Sequence, residues 1–182
     1  MAIRGLETRD AQALVDVQVR NRAFLTPWDP AREPGFFTLA GQREVIVRSH
    51  EAARQDLAYG FAILERTTGD LVGRVNLSNV VRGAWHNCTI GYFVDEARNG
   101  RGYATEAVCL AVGFAFARAG LHRVQAAVMP RNVRSIRVVE KAGFRFEGLA
   151  RSYLQIDGVW EDHGIYAVTV EEWTSRPSPG EA

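Results

Sequence analysis

One short segment constrains the fold more than any other, because its glycines lie between an apolar strand and an amphipathic helix. The segment reads Asn99-Gly100-Arg101-Gly102-Tyr103-Ala104, the run 88–94 before it is typical of a buried strand, and the run 104–118 after it is typical of a helix. A helix start with free backbone N–H groups and a positive dipole end is a site for anions, most often phosphate. The alternative is a plain turn that uses glycine for its torsional freedom.

The composition is that of an ordinary globular protein. The chain has 182 residues, with 22 Lys and Arg against 21 Asp and Glu, so no overall field favours nucleic acid or an anionic membrane as a partner. Cys88 and Cys109 lack the spacing of metal ligands and indicate free thiols in a reducing compartment. No signal segment or membrane-spanning run is evident. We therefore expect a cytoplasmic protein without a metal.

The pattern predicts a mixed α/β fold in the order β-α-α-β-β-β-α-β-α-β-β, with a parallel crossover in an otherwise partly antiparallel sheet. We expect a single domain over residues 1–174 and a disordered tail over residues 175–182, which is rich in proline and glycine. The predicted elements are a strand near 3–6, helices at about 10–24 and 40–54, a hairpin turning at 67–70, the strand and helix around the glycine segment, a strand at 121–128, a helix from Asn132 or Ser135 to Gly143 and a last hairpin turning at Asp157-Gly158.

Two well-known phosphate-binding patterns do not fit the glycine segment. A P-loop needs lysine and Ser or Thr after its second glycine, and a dinucleotide fingerprint needs a third glycine where this chain has Thr105. A loop for a pyrophosphate that demands no metal remains. Asn132-Val133-Arg134-Ser135 supports it, because this segment offers an amide and a hydroxyl after the next strand. Lys141-Ala142-Gly143-Phe144 then ends the following helix.

The order of these motifs resembles the GCN5-related N-acetyltransferases, from about Ile3 to Val168. The matching residues are Gly-Arg-Gly-Tyr-Ala-Thr-Glu-Ala in the loop, Asn-x-x-Ser before the next helix and Lys-Ala-Gly-Phe at its end. Within that superfamily the chain is similar to RimJ-type ribosomal-protein-alanine N-acetyltransferases. Three longer segments carry that second resemblance, namely 21–30, 76–86 and 153–163.

The resemblance implies a fold with splayed central parallel strands and an enzyme that uses acetyl-CoA. The acceptor it implies is a protein N-terminal α-amino group, such as the N-terminal alanine of a ribosomal protein, acetylated directly through a tetrahedral intermediate by a monomer or homodimer. A backbone N–H on the strand 91–94 would polarise the thioester carbonyl. The family's loop usually begins with Gln or Arg, where this chain has Asn99. The residues implied to bind coenzyme A are Tyr92, Phe93, Val94, Asn99, Gly100, Arg101, Gly102, Tyr103, Ala104, Asn132 and Ser135.

Transfer to an amine requires a proton for the leaving thiolate. Many relatives provide a tyrosine, but this chain has Val139 at that position. RimL- and RimJ-like relatives offer the serine that matches Ser135, so we predict Ser135 as the acid. The alternative is that Ser135 only caps the helix or bonds its own turn.

A base is less clearly marked, because the glutamate of RimL-type relatives corresponds to Leu154 here. An α-amine has a pKa of about 7.7–8.0, so a water relay would suffice. We predict His86 and Asp162 as members of such a relay or as anchors for the amine. A lone histidine is more often structural, and strand alternation allows only one of Asp162 and His163 to face a cleft.

Four residues are predicted to line the acceptor cleft: Phe24, Pro27, Trp28 and Tyr153. The first three lie in an irregular segment where periodicity does not require aromatics, although Phe24 and Trp28 alternatively cover the core. Two other functions stay open. An acetyltransferase of a small amine would need a closed acidic pocket, and a non-catalytic module would bind coenzyme A or assist ribosome assembly.

Overall fold

The computed structural model describes residues 1–175, so all of the predicted tail at 175–182 except Ser175 lies outside the described residues. The strands are β1 (Ala2–Gly5), β2 (Tyr59–Leu64), β3 (Leu71–Val81), β4 (Asn87–Val94), β5 (Arg123–Val128), β6 (Arg145–Ile156) and β7 (Val159–Thr169). The helices are α1 (Ala11–Arg20), α2 (Arg22–Leu25), α3 (Leu39–Arg54), α4 (Tyr103–Ala117), α5 (Val133–Lys141) and α6 (Val170–Thr174).

The seven strands form one mixed sheet in the order β1-β2-β3-β4-β5-β7-β6, which confirms the predicted mixed α/β fold. The predicted helix at about 10–24 is divided at Asn21 into α1 and α2, and the short helix α6 is an addition that the pattern did not predict. β5 begins at Arg123, two residues later than the apolar run, because the N–H of Leu121 donates to Ala115 O (2.9 Å) and closes the end of α4. Within residues 1–175, no helix is long and apolar enough to span a membrane.

Helices cover both faces of the sheet, so each strand sends alternate side chains to two separate apolar clusters. Val75 and Leu77 of β3 are buried on the face covered by α4 and α5, together with Val108 and Val112 of α4. The opposite face carries a smaller cluster that includes Val17 of α1. Both faces of the central strands are therefore inaccessible, and a ligand site must lie at a strand end.

β4 and β5 run parallel and separate after only three residue pairs. Their register is Asn87 with Arg123, Cys88 with Val124 and Thr89 with Gln125. Beyond this point β4 stays paired with β3 as far as Val94, and β5 stays paired with β7 as far as Val128. Each central strand thus follows its outer neighbour. The result confirms the predicted splay and leaves a wedge at the carboxyl ends of the two strands, where open α/β sheets bind ligands.

A buried carboxylate holds the loop that leaves β4. Asp95 is 5% exposed and accepts hydrogen bonds from Arg20 (2.6 Å) and from Asn21 Nδ2 (3.0 Å). Asn21 Oδ1 in turn accepts the N–H of Glu96 at 2.8 Å. Burial acts to raise the pKa of Asp95, but the bonds from Arg20 and Asn21 outweigh it and keep that pKa below its ordinary value. The end of α1 is thereby tied to the loop between β4 and α4.

We expect Asp95→Asn to lower the free energy of unfolding at pH 7 by about 1.5–3 kcal/mol, because it removes charge-assisted hydrogen bonds. The folded-state pKa of Asp95 is depressed, so its contribution is present above the unfolded-state pKa and is lost as the pH falls through the folded value. Urea unfolding from pH 7 to pH 3 measures this. The deficit should shrink toward low pH, and the exposed Asp16→Asn on α1 should stay within about 0.5 kcal/mol of the parent.

Candidate functional site

The wedge between β4 and β5 opens into a cleft of about 510 Å³. The edges of β4 and β5 line its length. The loop before α4 lies at one end, and the α2 region and His163 of β7 lie at the other. The lining residues are Phe24, Leu25, Trp28, Asp29, Ile90, Gly91, Tyr92, Phe93, Val94, Asn99, Ala104, Ala126, Ala127, Val128, Met129, Arg131, Asn132, Val133, Arg134, Ser135, Val138 and His163.

The glycine loop at one end has the backbone geometry of an anion site. Gly100 and Gly102 have φ values of +77° and +82°, and Gly102 is the N-cap of α4. A Cβ built on either glycine would meet nothing within 4 Å, so the positive φ alone requires glycine there. Glu106 donates its N–H back to Gly102 O at 3.0 Å, and the N–H groups before it have no carbonyl partner within the helix.

The buried carboxylate of Glu65, on the β2–β3 turn, holds the glycine loop by hydrogen bonds. Glu65 is 8% exposed and accepts hydrogen bonds from the Tyr103 hydroxyl (2.7 Å) and from Arg98 (3.1 Å). The hydrogen bond from Tyr103 and the charge of Arg98 keep the pKa of Glu65 below its ordinary value. The Tyr103 side chain is thus bound to Glu65, and only the backbone of Tyr103 remains for a ligand. Arg101 is exposed beside it.

The edge of β4 presents polar backbone along the cleft. From Ile90 to Val94 the strand has β3 on one side and the gap on the other. Since only alternate residues of a strand bond to one neighbour, the remaining N–H and C=O groups face the gap. The predicted ligand-binding residues Tyr92, Phe93 and Val94 all lie on this edge.

Two hydroxyl groups meet across the cleft between β4 and α5. The Tyr92 hydroxyl lies 2.7 Å from Ser135 Oγ, and burial raises the pKa of Tyr92 to about 12, although the bond with Ser135 acts to lower it. Asn132 caps α5 by accepting the N–H of Ser135 at 3.1 Å. The alternative reading of Ser135 as the helix cap is therefore corrected, because Asn132 fills that position. Val139, at the tyrosine position of many relatives, is fully buried in the core.

The other end of the cleft is walled by aromatic side chains. Phe24 and Trp28 are half-buried and line the cleft, as predicted for the acceptor side. Pro27 is exposed, and its carbonyl accepts a hydrogen bond from Arg131 at 3.3 Å. Arg131 also lies over the Trp28 ring, 5.0 Å from its centroid, and bonds Glu161 of β7 at 2.7 Å. One arginine thus links the α2 region to the last hairpin.

Asp162 and His163 point to opposite sides of β7, as alternation requires, but the residue that faces the cleft is His163. The Asp162 carboxylate accepts the N–H of Ser152 at 2.8 Å, where β6 has an irregular register and Ser152 has a φ of +46°. His163 is 3% exposed and lines the cleft. This corrects the predicted role of Asp162, which stabilises the strand irregularity. Tyr153 lies outside the lining set, with its ring centroid 5.8 Å from that of His163.

His86 lies at the wrong end of its strand for the predicted role. It precedes β4, and its Nδ1 is 3.4 Å from the carbonyl of Gly120. The cleft begins at Ile90, about 13 Å farther along the strand at the usual rise per residue. The structure therefore does not bring His86 together with Ser135, and it corrects the prediction of a relay through this histidine.

Three cleft residues were missed as functional candidates: Asp29, Arg131 and His163. Burial raises the pKa of Asp29 despite the opposing charges of Arg32 and Arg74. Strand alternation limits the choice on β7 to Asp162 or His163, so the sequence already carried a signal for His163. Arg131 had none, because its partners Pro27, Trp28 and Glu161 come from distant parts of the chain. Asp29 lies in the segment 21–30 that carries the family resemblance, but it was not singled out there.

Comparisons with known proteins agree with this geometry. Residues 1–145 match the family described as "Acetyltransferase (GNAT) domain". The "Probable N-acetyltransferase YjcK" of Bacillus subtilis is 44% identical over 91% of this chain and 92% of its own length. The [Ribosomal protein uS5]-alanine N-acetyltransferase of Escherichia coli is 35% identical over 96% of this chain and 90% of its own. The solved structure of Mycobacterium smegmatis RimJ in complex with CoA-disulfide is 32% identical, with a TM-score of 0.88 over 93% of this chain and 82% of that one.

Proposed function

The chain belongs to the GNAT acetyltransferase family, and on that premise we propose that it transfers an acetyl group from acetyl-CoA to the α-amino group at a protein N-terminus. The observation that carries this proposal is the splayed cleft. It joins an anion-binding loop, an unpaired strand edge and an open aromatic mouth in one continuous space of about 510 Å³. A thioester donor with a pyrophosphate at its far end needs those three features in that order.

The residues along the cleft fit coenzyme A. The N–H groups that follow Gly100 and Gly102 would hold the pyrophosphate at the start of α4. The edge of β4 would pair with the amides of the pantetheine arm, and one of its N–H groups would polarise the thioester carbonyl. Asn99 and Asn132 line the same space. The loop works through its backbone, so Asn99 in place of Gln or Arg leaves the cradle intact.

The hydroxyl pair of Ser135 and Tyr92 would supply the proton for the departing thiolate. Ser135 Oγ lines the cleft and lies 2.7 Å from the Tyr92 hydroxyl. With a pKa of about 12, Tyr92 remains protonated and able to donate through Ser135. The nitrogen of the acceptor loses a proton as the amide forms, and that proton restores the hydroxyl pair.

A peptide suits the acceptor mouth better than a polyamine. Among the cleft-lining residues within 1–175, Asp29 is the one carboxylate, whereas Arg131 and Arg134 are cationic. Tyr153 and Leu154 lie nearby on β6 and are 38% and 42% exposed, which leaves room for a chain that continues outward. A ribosomal protein beginning with alanine is supported by the E. coli relative, and it implies a cytoplasmic location.

We expect mass spectrometry to detect acetylation of N-terminal peptides that begin with alanine after incubation with acetyl-CoA. The panel should hold peptides that differ only in the first residue, the same peptides with a blocked N-terminus, and small amines such as spermidine and free alanine. Acetylation of a small amine without any peptide would support the small-amine alternative. Binding of coenzyme A without acetylation of any acceptor would support a non-catalytic module.

We expect Ser135→Ala to lower kcat about 100-fold or more, since a positioned acid typically contributes that factor. The affinity for coenzyme A should stay within about twofold, because Asn132 and not Ser135 caps the helix. Ser78→Ala is the matched control, as this half-buried serine of β3 donates to Thr89 O, before the cleft begins. A kcat close to that of the parent would end the proposed role of Ser135.

Gly100→Ala should weaken coenzyme A binding at least about tenfold, because a non-glycine residue at positive φ costs roughly 1–2 kcal/mol and relaxes the loop that aims the N–H groups. Gly83→Ala is the control, since Gly83 has a φ of +71° in the β3–β4 turn and its Cβ would also meet nothing. Calorimetric titration with coenzyme A measures both variants. Equal affinities in the two would contradict the assignment of the loop.

A further inference from the structure

We propose that His163 accepts the proton of the acceptor's ammonium group. This inference rests on the proposed function and adds a residue that the sequence motifs did not select. The N–H bond of the ammonium breaks and a bond to Nε2 forms, giving an imidazolium and a neutral amine. The amine lone pair then attacks the thioester carbon. The imidazolium returns its proton to water at the cleft mouth.

The end of β5 brings His163 to the reaction space. β5 pairs with β7 up to Val128 and Gly164, and the chain then turns away toward α5. β7 begins at Val159, so residues 159–163 extend beyond the last pair, and His163 is the first residue past the end of the pairing with β5. Its side chain passes into the cleft that Tyr92 and Ser135 border from the other side.

A hydrogen bond fixes the tautomer of the ring. His163 Nδ1 lies 3.0 Å from the carbonyl oxygen of Glu161, and a carbonyl can only accept. Nδ1 therefore carries the hydrogen in the neutral ring, and Nε2 retains a lone pair. Tyr153 packs on the ring with a centroid distance of 5.8 Å and a tilt of 57°, which limits its rotation. A histidine ring nitrogen with a lone pair is the group that general-base catalysis uses most often.

The carboxylates beside His163 on β7 are already bonded to other groups, so they do not compete with its ring for the acceptor's proton. On its own strand, the Glu161 carboxylate is bonded to Arg131, and Asp162 is on the opposite face with its carboxylate on the Ser152 N–H. Tyr92 faces it from β4 as a neutral hydroxyl, and Arg131 and Arg134 line the α5 side. Asp29 on the α2 side is the one competing carboxylate of the lining set within residues 1–175.

The test is the pH dependence of kcat/KM for His163→Asn, with an acceptor peptide that the parent acetylates. Asparagine keeps a donor near Glu161 O and removes the basic nitrogen. We expect a deficit of about 100-fold or more at pH 6.5. The deficit should fall at least tenfold by pH 9, because the acceptor's α-amine, with a pKa of about 7.7–8.0, then loses its proton unaided.

Two further variants make the result decisive. His163→Gln, with an amide near the Nε2 position, should show the same pH-dependent deficit, so poor folding of one variant does not decide the outcome. The exposed His122→Asn, whose ring bonds Glu171, should match the parent at every pH. Coenzyme A affinity should be unchanged in all three, because the loop that would hold the pyrophosphate lies at the other end of the cleft.

A deficit that stays constant with pH would assign His163 a structural role and overturn the inference, as would parent-like activity in both His163 variants. Transfer of the pH-dependent deficit to Asp29→Asn would assign the base to Asp29 instead. Failure of the proposed function is a separate result, since the parent itself would then acetylate no peptide.

Discussion

The site depends on hydrogen bonds that β4 and β5 do not make. Two adjacent parallel strands pair over three residues and then separate, which leaves unpaired N–H and C=O groups along a cleft. Buried backbone groups without partners are costly, so a sheet tolerates such a gap only where a ligand or water completes it. The separation is maintained from outside. β3 and β7 hold the two strands along their other edges, and Asp95 ties the end of β4 to α1.

In the proposed reaction, recognition of the donor and chemistry on the acceptor use different parts of the cleft. At the glycine end, the groups proposed to hold the donor are backbone N–H groups at the start of α4, with the exposed Arg101 beside them. In the middle, Tyr92 and Ser135 form a pair of neutral hydroxyls, one of them with a pKa of about 12. At the mouth, the side chains come from three segments remote in sequence: the α2 region, the start of α5 and β7. The proposed reaction thus uses backbone N–H groups at the glycine end, neutral hydroxyl groups in the middle and side chains from three segments at the mouth.

Features of the fold and the site that depend on neighbouring residues in the sequence could be predicted, whereas features that depend on tertiary contacts could not. The glycine loop was predicted from a short pattern and the order of elements, whereas the splayed strands and the role of Ser135 were implied by the family resemblance. The β7 pair shows the limit. Alternation correctly separated Asp162 from His163, but the face of each depends on the register with β6, which shifts around Ser152. His86 was chosen for its place in a shared segment, although the three strand residues 87–89 separate it from the cleft. No sequence pattern selected Arg131, because its partners Trp28 and Glu161 lie far from it in the chain.

The contacts of Arg131 have a consequence for how such a protein diversifies. This one side chain joins Trp28, Pro27 and Glu161, and 49% of its own surface is exposed. The two walls of the mouth are also joined by a backbone hydrogen bond from the N–H of Asp157 to Asp29 O at 3.3 Å. Substitutions at Arg131 alter the shape of the mouth while the sheet and the glycine loop keep their own hydrogen bonds. On the proposed function, side chains at the acceptor half can therefore change while the hydrogen bonds that hold the donor half stay in place.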